Sequence, residues 1–206
     1  MALPRVIAFD GDDTLWHNET LFAMTQNRFC ALLTRHVDIP SQVLHARLFE
    51  IEQRNLAAYG YGIKGFVLSM VETAIGVTER RIPAEDIQTI LAFGRSMIEH
   101  PVELVEGARE VLETLRARDH ELWLITKGDL FDQESKIARS GLALLFARIE
   151  IVSEKDQGTY ERLLAHYEIS PDEFLMVGNA VRSDVLPVLA AGGQAVHVVP
   201  RSLQPA

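Results

Sequence analysis

Residues 6–16 read VIAFDGDDTLW. An apolar run is followed directly by three carboxylates, Asp10, Asp12 and Asp13. A short, continuous apolar run is typical of a strand that is buried on both faces. Like charges a few ångströms apart repel each other by roughly 4 kcal/mol at an effective dielectric of 20, so they need a shared proton or a cation. The stretch therefore predicts a buried strand ending at a divalent-cation site, although Asp-Gly-Asp-Asp is also good turn chemistry.

The rest of the chain contains four further β-rich runs. With the first run they form the series 5–10, 121–126, 148–152, 173–178 and 194–199. Helical patterns lie between the last four runs, at 131–140, 157–167 and 182–191, and another precedes the second run at 105–118. Such alternation is typical of parallel strands joined by helices. We therefore predict an α/β fold with a doubly wound, parallel, five-stranded, Rossmann-like sheet.

The alternation is interrupted between the first and second strands. Residues 17–100 show helical periodicity and no convincing strand, with three amphipathic patterns around 21–33, 43–56 and 87–98. We predict a helical domain at 17–100, inserted into a core domain formed by 1–16 and 101–206. Because the insert leaves the carboxyl end of a strand, where open α/β sheets bind ligands, we expect it to act as a lid.

The amino-acid composition limits the classes of binding partner and the cell compartment that we expect for this protein. The 206 residues include 29 acidic and 20 basic side chains, for a net charge of −9, and a single cysteine, Cys30. An acidic surface without basic clusters disfavours nucleic acid and anionic lipid. No apolar stretch approaches the roughly 18 residues that a membrane span needs. We expect a cytoplasmic protein that binds neither nucleic acid nor membrane.

Polar residues follow three of the later strands. The second run is followed by the hydroxyl of Thr126 and by backbone amides at Lys127 and Gly128 that could bind phosphate. The third run is followed by the cation Lys155. The fourth is followed by a glycine turn at Gly178, the amide Asn179 and the carboxylate Asp184. Each of these residues is individually a weak signal. Because carboxyl ends of parallel strands meet at one sheet edge, their order predicts one site near Asp10.

Together these stretches resemble the haloacid dehalogenase superfamily of hydrolases. The resemblance rests on DxDxT at 10–14, a strand-end Thr126, the downstream Lys155, and G-[DN]-x4-D at 178–184. It covers the whole predicted core domain. It implies that the insert is a helical cap, and that the first strand lies centrally in the sheet, between the second and the fourth.

The resemblance also implies a mechanism. Asp10 is expected to attack phosphorus and form an aspartyl-phosphate, and Asp12 to protonate the leaving oxygen and later deprotonate water. Family dehalogenases lack a carboxylate at the position of Asp12, so phosphate-ester hydrolysis is favoured. Lys155 is expected to neutralise charge shared by Asp10 and the phosphoryl group, which Thr126 and the neighbouring backbone amides would hold.

The resemblance further implies a Mg²⁺ site. Its expected ligands are the Asp10 side chain, the Asp12 backbone carbonyl and Asp184, with Asn179 beside them. Position 179 is Asp in many members of the superfamily, so this chain has one charge fewer near the metal. An amide oxygen can still coordinate the ion or hold a water bound to it.

The substrate is expected to be a small phosphorylated metabolite. Three groups are candidates to contact it beyond Thr126: Lys127, Gly128, and Lys64 in the stretch AAYGYGIKGF at 57–66, which we interpret as a loop between helices of the insert. The alternative for 57–66 is a simple helix connection whose aromatic residues pack on the insert.

Three other functions stay open at this stage. A phosphomutase of the same superfamily would return the phosphoryl group to a sugar. A phospho-acceptor signalling module also uses an acidic pocket with Thr and Lys, but its acceptor Asp follows a later strand and it has no long helical insert. A catalytically silent binder is disfavoured by the intact set of acidic and basic residues.

Overall fold

The structure is a computed structural model that describes residues 4–199. The chain divides into two compact units. An α/β unit is formed by the residues up to Asn18 and those from Val102 onward, and a helical unit spans Glu19–Pro101. Within residues 4–199, no helix is both long enough and apolar enough to cross a membrane.

The α/β unit is built on one sheet of five parallel strands. The strands are β1 (Val6–Phe9), β2 (Glu121–Lys127), β3 (Arg148–Val152), β4 (Phe174–Gly178) and β5 (Gln194–His197). Their order is β3-β2-β1-β4-β5, and every pairing is parallel. The predicted α/β class and the central position of β1 between β2 and β4 are confirmed.

Helices cover both faces of this sheet. They are α5 (Ala108–Arg116), α6 (Leu130–Ser140), α7 (Gln157–His166) and α8 (Leu186–Ala190). Ile7 and Phe9 belong to a core cluster with residues of α5 and α6, whereas Val6 and Ala8 belong to a cluster with residues of α7 and α8. Successive strand residues point to opposite faces, so burial of both faces requires the unbroken apolar run of β1.

The fourth helical pattern of this unit differs from the prediction. Instead of one helix over 182–191, a π-helical turn at Val181–Val185 leads into the short helix α8. Pro187 stands at the start of α8, where its missing N–H and fixed φ suit the first helical turn. The wider turn places Asp184 just after β4, where its side chain can reach the end of the sheet.

The helical unit contains four helices, one more than the three patterns predicted. They are α1 (Glu19–Leu33), α2 (Ser41–Tyr59), α3 (Ile63–Val77) and α4 (Ala84–Glu99). Helix α3 is apolar on most of its circumference and contributes Ile63, Phe66, Val67, Met70 and Ala74 to the core of the unit. Such a helix shows little amphipathic periodicity, so the periodicity of the sequence does not predict it.

The prediction of a loop over 57–66 was wrong. Only residues 60–62 connect α2 to α3, and Lys64 lies in the first turn of α3 with an exposed side chain. Gly60 and Gly62 have φ values of 68° and 102°, and they account for the turn signal. Gly65 lies inside α3, where a Cβ atom would come within 2.8 Å of the carbonyl oxygen of Gly60. The glycines therefore make a tight helix junction.

Candidate active site

Asp10 lies directly after β1, at the carboxyl edge of the sheet. Its backbone N–H donates to the carbonyl of Val177 at 2.9 Å, which continues the pairing of β1 with β4. Its side chain is almost fully buried, with 6% of the residue surface exposed. One carboxylate oxygen accepts from Lys155 Nζ and the other from Thr14 Oγ1 at 3.3 Å. The carboxylate is therefore held in a fixed orientation.

Lys155 joins Asp10 to Asp184. It follows β3, and its Nζ contacts Oδ1 of Asp10 and lies 2.8 Å from Oδ1 of Asp184. The other oxygen of Asp184 accepts from the backbone N–H of Ala180 at 2.9 Å. A Cβ atom on Gly178 would lie 2.3 Å from Asp184 Oδ2, so only glycine there lets the carboxylate approach the strand end. The three predicted residues Asp10, Lys155 and Asp184 thus come together.

Charge at this cluster is unbalanced. Burial raises the pKa of Asp10 to about 6, with Lys155 opposing the shift and Asp184 adding to it. Burial also disfavours the charge of Lys155, but the carboxylates of Asp10 and Asp184 outweigh that effect and raise its pKa. Two buried carboxylates facing one ammonium leave an excess negative charge, which a bound cation would relieve.

This imbalance predicts a pH-dependent stability in the absence of divalent metal. Because folding raises the pKa of Asp10, its stabilising contribution is complete below about pH 4 and is lost as the pH rises through about 6. Asp10→Asn should remove this loss. In chelator, its free energy of unfolding relative to the natural protein should rise by roughly 2–3 kcal/mol between pH 4 and pH 7. Denaturant titrations of both proteins measure this difference, and a difference that does not vary with pH would contradict the assignment.

Asp12 is bound by residues that the sequence analysis did not single out for it. Lys136 Nζ lies 2.8 Å and 2.9 Å from its two oxygens, Trp16 Nε1 donates to Oδ1 at 2.7 Å, and Gln133 Nε2 donates to Oδ2 at 3.0 Å. Gln133 and Lys136 are buried polar residues one turn apart in α6. The sequence signal that could have identified Gln133 and Lys136 is a pair of long polar side chains at i and i+3 soon after Thr126, because residues at this spacing share one helix face.

Thr126 and Gly128 lie at the carboxyl end of β2, as predicted. Thr126 is fully buried, and its hydroxyl donates to Gln133 Oε1 at 3.3 Å. Gly128 has a φ of 153°, and a Cβ atom there would approach Gln133 Nε2 to 2.9 Å. Lys127 directs its ammonium to Glu154 at 3.3 Å. Gln133 therefore connects the β2 end, through Thr126, to Asp12.

Asn179 is close to Asp10 through a shared hydroxyl. Thr14 Oγ1 lies 3.4 Å from Asn179 Oδ1 and 3.3 Å from Asp10 Oδ2, and it accepts from the backbone N–H of Asn179 at 3.1 Å. The last residue of the DxDxT pattern thus ties the loop after β1 to the loop after β4. Asn179 stands beside the candidate nucleophile.

The donor set suits Mg²⁺. Two carboxylates, Asp10 and Asp184, contact one Lys155 nitrogen, so both can reach one small cation in its neighbourhood. Asn179 offers an amide oxygen beside Asp10, and the resemblance implies the Asp12 backbone carbonyl as a further ligand. No group of three or more His, Cys, Asp or Glu side chains suited to a metal is found within residues 4–199. Mg²⁺ is usually coordinated by few protein carboxylates, and oxygens of water and substrate are its other ligands.

Comparison with known families agrees with this geometry. A family model described as haloacid dehalogenase-like hydrolase matches residues 4–192. The chain belongs to this family of hydrolases. No curated protein matches the sequence of this haloacid dehalogenase-like hydrolase.

Solved structures extend the comparison. A haloacid dehalogenase-like family hydrolase from Xanthomonas campestris is 45% identical, with a TM-score of 0.89, over 99% of this chain and 86% of that one. YfnB of Bacillus subtilis, assigned as a HAD-hydrolase and bound to magnesium, is 17% identical, with a TM-score of 0.68, over 100% and 90% of the chains. A HAD phosphatase from Thermococcus onnurineus is 17% identical, with a TM-score of 0.64, over 98% and 89%. Dehalogenases also match, so the shared fold does not select the reaction.

Proposed function

We propose that this haloacid dehalogenase-like hydrolase is a Mg²⁺-dependent phosphatase that acts on a small phosphorylated metabolite through an aspartyl-phosphate. The carrying observation is a second carboxylate, Asp12, two positions after the buried Asp10 and fixed by four hydrogen bonds. A phosphate ester needs a group that protonates its leaving oxygen, whereas a departing halide does not. An acid at position 12 therefore favours phosphoryl transfer over carbon–halogen cleavage.

The first half-reaction uses Asp10 as nucleophile. One of its oxygens forms a bond to phosphorus while the bond from phosphorus to the ester oxygen breaks, and Asp12 supplies the proton that the leaving oxygen takes. In the second half-reaction Asp12 removes a proton from water, whose oxygen attacks phosphorus and releases Asp10. Phosphate and an alcohol are the products, and both aspartates return to their starting states.

Other residues stabilise the phosphoryl group during transfer. Lys155 already contacts Asp10, so its ammonium can offset the charge that the transferring group brings. The Thr126 hydroxyl donates to Gln133 Oε1 in this structure, and we propose that it donates to a phosphoryl oxygen instead when substrate is bound, together with the backbone amides that follow β2. Mg²⁺ would be held by Asp10, Asp184, the Asp12 carbonyl and Asn179, and when bound it would neutralise phosphate charge and orient the group for in-line attack.

The expected substrate is small because the reactive groups are buried. Only 6% of the Asp10 surface is exposed, and Asp184 and Lys155 are buried as well. The helical unit, which begins at Glu19 in the same segment as the two aspartates, is proposed to act as a cap that contacts the substrate, with Lys64 as a candidate. A compact phosphomonoester fits such a site better than a phosphate on a folded protein.

The test is phosphate release by the purified protein. We expect hydrolysis of p-nitrophenyl phosphate and of at least one ester in a panel of sugar phosphates, nucleotides and phosphoglycolate. Activity with Mg²⁺ should exceed activity in chelator by about 100-fold or more, because the ion supplies several kcal/mol of charge stabilisation. Halide release from a 2-haloacid without any phosphate release would show that the chain is a dehalogenase instead.

A further inference from the structure

Asp12 has an unusually complete set of hydrogen-bond donors. Lys136 Nζ contacts both oxygens, at 2.8 Å and 2.9 Å, Trp16 Nε1 contacts Oδ1 at 2.7 Å, and Gln133 Nε2 contacts Oδ2 at 3.0 Å. An ionised carboxylate offers about four lone-pair sites, and these contacts are four in number. The carboxylate therefore has one strongly preferred orientation.

The donors are themselves held in place. Trp16 is fully buried, while Gln133 and Lys136 are 2% and 8% exposed. Gln133 is also fixed by Thr126, whose hydroxyl donates to its Oε1. Helix α6, which carries Gln133 and Lys136, begins at a capped end where Asp129 Oδ1 accepts from the N–H of Asp132 at 3.0 Å. A rigid helix therefore presents two of the three donors.

Lys136 differs from the other two donors because its ammonium is charged, contacts both oxygens of Asp12 and has two further side-chain partners. Its Nζ lies 3.3 Å from Asn18 Oδ1 and 3.6 Å from Asp132 Oδ2. To act as an acid Asp12 must carry a proton, and an oxygen can carry one only while one of its four contacts is open. Lys136 can release Asp12 and remain bonded to Asn18 and Asp132, while Trp16 and Gln133 continue to hold the carboxyl group.

We propose that Lys136 is a positioning residue for Asp12, aligning its carboxyl group for proton transfer to and from the reacting oxygens. The inference rests on the proposed phosphatase function, since it assigns to Asp12 the acid–base role of that reaction. Lys136 itself need not touch the substrate. Positioning of this kind matters because a displacement of about 1 Å in a catalytic group can cost roughly 100-fold in rate.

The test is the dependence of kcat/KM on the leaving group. Lys136→Met removes the ammonium and keeps an unbranched side chain. We expect a loss of about 30–100-fold in kcat/KM for an alkyl phosphate and less than about 5-fold for p-nitrophenyl phosphate, whose leaving group departs without much help from an acid. Hydrolysis of the aspartyl-phosphate also needs Asp12, so this variant should show a burst of p-nitrophenol before steady state. A merely structural role would lower kcat/KM equally on all esters and produce no burst.

Two further variants keep the test decisive. Lys136→Gln retains an amide NH2 as donor and should show the same selectivity with a smaller loss, even if Lys136→Met folds poorly. Asp132→Asn, in the same helix and ion cluster, should leave the ratio of alkyl to aryl activity near the natural value. An equal loss on all esters in the Lys136 variants, or the same selective loss in Asp132→Asn, would overturn the role of Lys136 while leaving the phosphatase function intact. A natural protein inactive on every ester would overturn the phosphatase function, and the role of Lys136 with it.

Discussion

Asp10→Asn should lower the rate of phosphate release by at least about 10⁴-fold, because removal of an enzymatic nucleophile typically reduces kcat by this much or more. The amide is a poor nucleophile and cannot form the aspartyl-phosphate. Fold and site should otherwise survive, because the amide oxygen can still accept from Lys155, the amide NH2 can donate to Thr14 Oγ1, and Lys155 keeps its contact with Asp184. Steady-state release from p-nitrophenyl phosphate at saturating Mg²⁺ measures the loss.

Asp13→Asn is the matched control for this variant. It makes the same chemical change three residues away in the same loop. Asp13 has a φ of 58°, which Asn tolerates better than most residues, and its Oδ1 accepts from the N–H of Asn18 at 2.9 Å, which an amide oxygen also can do. Activity of Asp13→Asn should stay within about 2-fold of the natural protein. Substantial turnover by Asp10→Asn would rule out Asp10 as the attacking group.

The sheet and the meeting of Asp10, Lys155 and Asp184 could be predicted because both depend on local pattern and a general rule. A run such as VIAF is buried on both faces only in a parallel sheet covered by helices, and residues after parallel strands share one edge. Asp10, Lys155 and Asp184 are far apart in the sequence, yet the strand order brings the loops after β1, β3 and β4 to one edge of the sheet. The roles of these residues stay predictions until activity is measured.

The donors to Asp12 could not be predicted by the same rule. Gln133 and Lys136 lie within α6, and the direction of a helical side chain depends on how the helix docks and rotates on the sheet. Trp16 could not be assigned to Asp12 either, because an indole in an apolar context is usually a packing residue, and its N–H reaches Asp12 only because the loop after β1 turns back.

The erroneous loop at 57–66 has a different cause. A glycine in the sequence indicates irregular backbone, whereas Gly65 lies inside a helix where a side chain would not fit, and within 57–66 only Gly60 and Gly62 adopt positive φ. A glycine in the sequence does not show whether it is needed for a positive φ or for close packing, because both requirements favour glycine. The placement of α3 depended on tertiary packing of an almost wholly apolar segment.

Asp184→Asn should raise the Mg²⁺ concentration for half-maximal activity on the order of 100-fold. Asp184 is one of two carboxylates proposed to hold the ion, and a unit charge 4 Å from a cation contributes roughly 4 kcal/mol at an effective dielectric of 20, which Lys155 partly offsets. The amide oxygen can still accept from the N–H of Ala180, so the loop should keep its form while the contact with Lys155 is lost. Mg²⁺ activation curves at saturating substrate measure the shift, and an unchanged midpoint would place the metal elsewhere.

Asn179→Asp provides the opposite change at the same site. Asn179 Oδ1 shares the Thr14 hydroxyl with Asp10, so a carboxylate there would stand within reach of an ion bound to Asp10. An added charge worth on the order of 1 kcal/mol should lower the Mg²⁺ midpoint about 5-fold with little gain in kcat at saturation, because the new charge also repels the phosphate dianion. If Asp184→Asn raises the midpoint and Asn179→Asp leaves it unchanged, Asn179 faces Thr14 and not the metal, and only the carboxylates set the affinity.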